Sequence, residues 1–282
     1  MATIGFVVHT QREGARLLAK ETSEWLEEQG HRPVLLAADT PAEGTAAACA
    51  LDLAVSLGGD GTMLRTVDLV CGGAVPVLGV NLGHLGYLTV VEPSGLRTAL
   101  ARFLAGDYQV ESRMTLDVAV SGPGDGPSGA PPVVTRSALN DVVLQRTSVG
   151  HTMHTEVAVD GTPFLTFASD SLILATPTGS TAYNLSARGP IVSPRARVSI
   201  LTPVAPHMLF DRSLVLDAGE AVSITVAGEH HADVVVDGWL AAPVSPGQTV
   251  HCREGRHDAL LVTFRERDFH RILKSKFNLM DR

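Results

Sequence analysis

Residues Leu57 to Arg65 read LGGDGTMLR and follow an apolar run, Leu53 to Leu57, with the character of a buried strand. Glycines at a strand end allow a tight turn and bring backbone N–H groups close to a ligand. Met63, Val67 and Val70 recur at helical spacing, so a helix is predicted to open at Gly61-Thr62. Strand, glycine turn and helix N-terminus make a phosphate-binding arrangement, because unpaired amides and the helix dipole both favour an anion. Gly58, Gly59, Gly61 and Thr62 are the candidates for that loop. Asp60 is the exception within it. A carboxylate repels phosphate unless a cation or a proton transfer is involved, so Asp60 is a candidate general base or metal-side group. Taken alone, the same loop also reads as an ordinary glycine turn capping a helix.

A second concentration of chemistry is Thr176 to Ser186, TPTGSTAYNLS, which packs five hydroxyls and Tyr183 into eleven positions. At a turn-to-helix junction such a cluster can bond ribose and phosphate oxygens, and Tyr183 adds a ring and a phenol. The plainer alternative is a well-capped helix with Thr178 or Ser180 as N-cap, and both readings can hold together. Asn140-Asp141 places an amide beside a carboxylate, a pair able to read an adenine amine or ribose hydroxyls. An Asx turn is its bland counterpart.

The elements that must carry these residues change character along the chain. Ile4 to Val8, Pro33 to Ala37, Leu51 to Leu57 and Val75 to Val80 read as strands, with a helix from Glu13 to Gly30 between the first two. Leu17, Leu18, Thr22 and Leu26 are expected on its apolar face, and Gly30 as its stop. Strands alternating with helices predict a doubly wound parallel sheet, whose ligands bind beyond the carboxyl ends of the strands. The Asp60 loop lies at one such end and Asn81 to Tyr87 at the next. The second loop is expected to support the first, with His84 merely in the turn. After about Asp107 short β-rich runs punctuated by turn residues take over, which predicts a largely β second domain. Gly124, Gly126 and Gly129 form a GxGxxG match, but Pro127 and the flanking prolines rule out a helix there, so the stretch is a hairpin connection. Phe269, Ile272, Leu273 and Phe277 predict a C-terminal helix returning to the first domain. The expected division is 1–108, 109–252 and 253–282.

The formal net charge of −8 argues against a nucleic-acid partner. Cys49, Cys71 and Cys252 are far apart and form no CxxC, so no disulfide framework is expected and a reducing cytoplasm fits. No signal-peptide pattern is read at the N-terminus, and no apolar run of about 18 residues suggests a membrane span. No P-loop is present either.

GGDGT at 58–62, TPTGSTAY at 176–183, the NxGxLGY segment at 81–87, the Asn140-Asp141 pair and the PxxPH at 203–207 together resemble the NAD kinase family over nearly the whole chain. The resemblance implies an N-terminal α/β domain, doubly wound and phosphofructokinase-like, and a largely β C-terminal domain. It implies phosphoryl transfer from ATP, or polyphosphate, to the adenosine-ribose 2′-hydroxyl of NAD, with a divalent cation, Mg²⁺, and Asp60 as base. No metal ligand is assigned. Carried onto this chain, the NAD-binding set is Asp60, Gly61, Arg65, Asn140, Asp141, His151 and Asp170. Thr178, Thr181, Ala182, Tyr183, Asn184, Leu185 and Ser186 continue it, with Ala205 and His207 lining the site. A homodimer or homotetramer is expected. Three positions depart from the family pattern: Ser171 stands for glycine after Asp170, Arg188 for glycine in AGGP, and Trp239 for glutamine in DGQ. An NAD(H)-binding paralogue of altered activity, or a lipid or sugar kinase sharing GGDGT, are the alternatives. Asp60 counts against the first and TPTGSTAY against the second.

Overall fold

The structure, a computed structural model, describes residues 1–8, 12–38, 50–70, 75–83, 86–122, 134–148, 150–265 and 268–278. His84, Cys49, Cys71 and the glycine- and proline-rich connection from residue 123 onward lie outside these. The chain forms two compact units, Met1–Arg113 with His257–Arg282, and Met114–Arg256.

With elements numbered along the chain, the first unit is built on β1 (Thr3–Val8), β2 (Arg32–Ala37), β3 (Leu53–Gly58) and β4 (Val77–Asn81). These run parallel in the order β2-β1-β3-β4. Every residue of β3 is buried, which is why its sequence is a continuous apolar run without alternation. The helices α1 (Glu13–Glu28) and α3 (Leu96–Leu104) share one core with the sheet, setting Leu26 and Leu100 among Phe6, Val55 and Leu78. Each such buried side chain contributes about 1.5–3 kcal/mol. The buried face of α1 is Ala15, Ala19, Thr22 and Leu26, whereas Leu17, expected on it, is 57% exposed. The helix stops as expected at Gly30, whose φ is 79°, with His31 N–H donating to Leu26 O at 2.9 Å.

The helix α2 (Asp60–Val70) follows β3 directly, opening at Asp60 and not at Gly61-Thr62. The chain leaves β1 for β2 on one side and β3 for β4 on the other, so the strand order reverses between β1 and β3. The glycine turn thus sits at the carboxyl end of a strand flanking a topological switch point, where open α/β sheets bind ligands. The tail rejoins this unit through a strand as well as a helix. β18 (Ala259–Thr263) pairs parallel to β4 and antiparallel to β5 (Gln109–Arg113), completing six strands. The helix α5 (Phe269–Lys276) is capped by Asp268, which accepts the Arg271 N–H at 3.0 Å. Its apolar side is only half-buried, and Phe277 is exposed.

The second unit is an antiparallel sandwich. Its strands are β6 (Leu116–Ser121), β7 (Val134–Ala138), β8 (Asp141–Arg146), β9 (Met153–Val159), β10 (Thr162–Ser169) and β11 (Ser171–Ala175). They continue with β12 (Val198–Val204), β13 (Leu214–Asp217), β14 (Val222–Ala227), β15 (Ala232–Val236), β16 (Trp239–Val244) and β17 (Thr249–Glu254). One sheet runs β10-β9-β14-β17-β6-β7 and the other β13-β12-β11-β8-β15-β16. Alternate residues such as Val118, Val157 and Ile224 face Leu144, Leu172 and Leu201 in a single core.

Candidate active site

Asp60 is the first residue of α2, where the helix dipole favours negative charge. Its carboxylate is fixed by the loop beyond β4: Oδ2 accepts the Tyr87 N–H at 2.8 Å and Oδ1 the Leu88 N–H at 3.0 Å. The Leu82 N–H donates to Gly58 O at 3.1 Å, so the two loops are joined at both ends, as the sequence suggested for a supporting segment. A carboxylate has about four lone-pair sites, so two amides leave one on each oxygen. Burial first, and the charge of Asp60 second, push the Tyr87 phenol above its ordinary value. Lys276 Nζ on α5 lies 5.2 Å from the centre of the Tyr87 ring. Arg65 is turned inward: Nε donates to Ala38 O at 2.8 Å and Nη1 to Asp68 Oδ2 at 2.6 Å. Its guanidinium ties α2 to the end of β2.

In the second unit three turns interlock. Thr176 donates its N–H to Asn140 O at 2.8 Å and its hydroxyl to Leu139 O at 2.6 Å. Gly179 lies against Asn140, and any side chain there would collide with that carbonyl. The third turn is the two-residue hairpin Asp237-Gly238 between β15 and β16, with φ of 50° and 83°. Asp-Gly suits such a turn because both residues need positive φ. Its carboxylate accepts the N–H groups of Leu139 at 2.8 Å, Asn140 at 2.7 Å and Asp141 at 3.1 Å. Asp237 therefore fixes the Asn140-Asp141 turn, a role sequence reading missed although the Asp-Gly signal stood in plain view. Asp141 is buried, and its carboxyl is pushed up to about 7. Desolvation is the main cause and the neighbouring charge of Asp237 the second, partly offset by an N–H from Tyr183.

The hydroxyl-rich stretch is not one long helix. It forms a single tight turn, Gly179–Thr181, followed by α4 (Tyr183–Ser186). The capping hydroxyl belongs to Thr176, which accepts the Gly179 N–H at 3.1 Å, and not to Thr178 or Ser180. Ser180 donates to Pro177 O and accepts the Val192 N–H. Asn184 is fully buried, donating to Ser180 O and Pro190 O and accepting the Thr202 hydroxyl at 2.7 Å. Thr181, Ala182 and Leu185 are half-buried, while Tyr183 and Ser186 are exposed. Arg188, standing for a family glycine, occupies the left-handed region at φ 66°. Ser171 is an ordinary buried residue of β11, and Trp239 is 51% exposed at the start of β16.

A separate group forms at the opposite end of β8 and β11. Arg146 meets Asp170 through Nε at 3.0 Å and Nη2 at 3.3 Å, a two-pronged pair, and also donates to the carbonyls of Ser148 and His151. The His151 ring lies 4.2 Å from that of His230. Asp170 donates its N–H to Val204 O, Ala205 follows at φ 47°, and His207 N–H donates to Ala168 O at 2.7 Å. In the second unit the expected residues thus fall into two clusters. Five residues of β11 separate them, roughly 17 Å of extended chain. Burial pushes the Cys252 thiol up to about 12, which removes it from nucleophilic chemistry.

One unit carries a carboxylate fixed in a glycine turn at a sheet's switch point, and the other is an antiparallel sandwich carrying a hydroxyl-rich turn. Family models for the ATP-NAD kinase N-terminal domain and C-terminal domain match residues 39–108 and 139–264. The NAD kinase of Heliobacterium modesticaldum is 40% identical over 98% of both chains. That of Moorella thermoacetica is 35% identical over 98% of this chain and 89% of its own. The fold is shared with yeast NADH kinase, solved with NADH, at a TM-score of 0.80 and 24% identity, covering 100% of this chain and 89% of that one. It is also shared with an Archaeoglobus fulgidus NAD kinase solved with ATP, at 0.74 and 24%, covering 99% and 100%. The chain belongs to the NAD kinase family. It is an enzyme, and its activity is that of a kinase acting on NAD.

Proposed function

We propose that this kinase transfers the terminal phosphoryl group of ATP, or of inorganic polyphosphate, to the adenosine-ribose 2′-hydroxyl of NAD, with Asp60 as general base. The hydroxyl is a weak nucleophile near neutral pH. Asp60 takes its proton as the new phosphorus–oxygen bond forms, while the bond to the donor breaks and ADP, or the shortened polyphosphate, leaves. The observation that carries this reading is the fixing of Asp60: two backbone amides hold the carboxylate and leave a lone pair on each oxygen for a substrate proton. The amides of Gly58 to Thr62 hold donor phosphates. The Asp60 carboxylate fits a cation that arrives with the donor. Among the described residues no cluster of three His, Cys, Asp or Glu could hold one, while Asp60 retains free lone pairs. Magnesium bound chiefly by phosphates and water suits such a donor set, and would offset the repulsion between donor and Asp60.

The β-rich domain read as 109–252 holds the dinucleotide. Asn140, Thr181, Tyr183 and Ser186 are assigned to direct contact, because their side chains reach the surface in full or in part. Asn184 supports them from inside, and Arg65 does the same for the glycine turn. Asp170, His151, Ala205 and His207 form a second contact group, which an oligomer can bring to a neighbouring copy's dinucleotide. A solved relative that carries ATP and another that carries NADH support these ligand classes.

The test is purified protein with NAD, ATP or polyphosphate, and Mg²⁺, read as NADP formed. Asp60→Asn is expected to lower turnover roughly 10²–10⁴-fold with little change in NAD affinity measured calorimetrically. Near-normal turnover in that variant at saturating donor and acceptor would remove Asp60 as base. Phosphorylation of a lipid or sugar with no NADP formed would overturn the acceptor.

A further inference from the structure

Among the described residues of the loop that holds Asp60, the Thr89 hydroxyl takes no part in the contacts described so far. Thr89 is 3% exposed, and its Oγ1 has no hydrogen-bond partner. A buried hydroxyl left unpaired destabilises the fold, so its retention at a given point calls for a use there. Its orientation is set by packing. A side chain at Gly79 of β4 would come within 3.2 Å of Thr89 Cγ2 and of Met63 Sδ, so the methyl faces β4 and α2. The hydroxyl faces the other way. A side chain at Gly86 would collide with Asp60 Oδ1 and come within 2.8 Å of Thr89 Oγ1. The two oxygens therefore share the small volume that the glycine leaves open. The same four residues, 86 to 89, supply the gap, the two amides on the Asp60 carboxylate and the hydroxyl.

We propose that Thr89 is a positioning residue for Asp60, donating its hydroxyl hydrogen towards Oδ1 across the space beside Gly86, through one bridging water or after a small rotation. The inference rests on Asp60 being the base. With the Tyr87 and Leu88 amides it gives the carboxylate a third donor, and this directs the remaining lone pairs towards the acceptor hydroxyl. A hydroxyl is the apt donor for the task, since it rotates as the base gains a proton, whereas the two amides cannot.

The experiment compares Thr89→Val, Thr89→Ser and Asp60→Asn, each assayed with NAD, ATP and Mg²⁺ and each followed by thermal unfolding. Thr89→Val keeps the shape and removes the donor. Its kcat is expected to fall roughly 10- to 100-fold, the range for a hydrogen bond to a charged group, with KM for NAD and ATP unchanged and the melting temperature equal or higher. Thr89→Ser is expected to restore most of the turnover. A purely structural role predicts the opposite pattern, full activity in both variants or a loss that follows stability. If the valine variant does not fold, Thr89→Ser and Thr89→Cys form the deciding pair, being alike in size and unlike in donor strength. Wild-type kcat in Thr89→Val, or a serine variant no better than valine or cysteine, overturns the proposal. Asp60→Asn separates the two failures. If it is inactive while Thr89→Val is normal, only the role of Thr89 falls; if it is active, the base assignment falls and Thr89 with it.

Discussion

Two aspartates in this chain are held in contrasting surroundings. Asp60 sits on a helix N-terminus and accepts two backbone amides. Asp141 is enclosed beside the charge of Asp237, and its carboxyl is pushed up to about 7. Folding therefore retains a proton that the unfolded chain releases near pH 4. Below that pH both states are protonated and the contribution of Asp141 to stability is complete. It is lost as pH rises towards 7, where the folded protein also ionises, and then levels off. Asp141→Asn carries no such slope. Its melting temperature relative to the unmodified protein is expected to climb between about pH 4 and pH 7 and to plateau above. A difference independent of pH would show that Asp141 titrates in the folded protein as it does in the unfolded chain.

At the scale of elements, the second-unit site is a junction of turns more than a helix end. β8 and β11 are neighbours in register, Asp141 opposite Ala175, so the turns before the one and after the other must meet. The hairpin between β15 and β16 then closes on both through Asp237, because β15 pairs with β8 on its other side. Asp237→Ala leaves three amides of the 139–141 turn without their acceptor. A loss on the order of 1–3 kcal/mol of stability is expected, with a weaker NAD affinity, because the turn that presents Asn140 loosens. Calorimetric unfolding and NAD titration read the two effects. Unchanged affinity in a destabilised protein would reduce Asp237 to a fold-stabilising cap.

For the whole molecule, the separation of the two clusters along β11 gives the proposed association of copies a direct test. The Asp170 group and the Asn140 junction stand at opposite ends of the same strands, and two copies can combine one group from each. Asp170→Ala and Tyr183→Ala are each expected to lower activity severely. Mixing the two after dissociation and reassembly is expected to restore it in part, because one composite site per pair then has both groups intact. Light scattering would report a dimer or tetramer. No recovery on mixing would place all contacts within one copy.

The sequence by itself determined the class of fold in both halves and the loops that carry chemistry. Local patterns sufficed for this: continuous apolar runs for the buried parallel strands β1, β3 and β4, alternation for β9 and β14, and glycine or hydroxyl clusters at the turns. Only the tertiary structure decided which residues of those loops face inward. Thr176, Ser180 and Asn184 stand in the hydroxyl-rich stretch, and their hydroxyls and amide also bond the turn itself, since buried polar groups must find partners wherever the backbone puts them. The return of β18 between β4 and β5 was equally hidden, because a five-residue run with four apolar side chains does not say which of three sheets it joins. The grip on Asp60 by Tyr87 and Leu88, and that of Asp237 on residues 139–141, span 27 to 98 positions of chain. Contacts of that separation exist only once the sheets have set their register, and no local pattern encodes them.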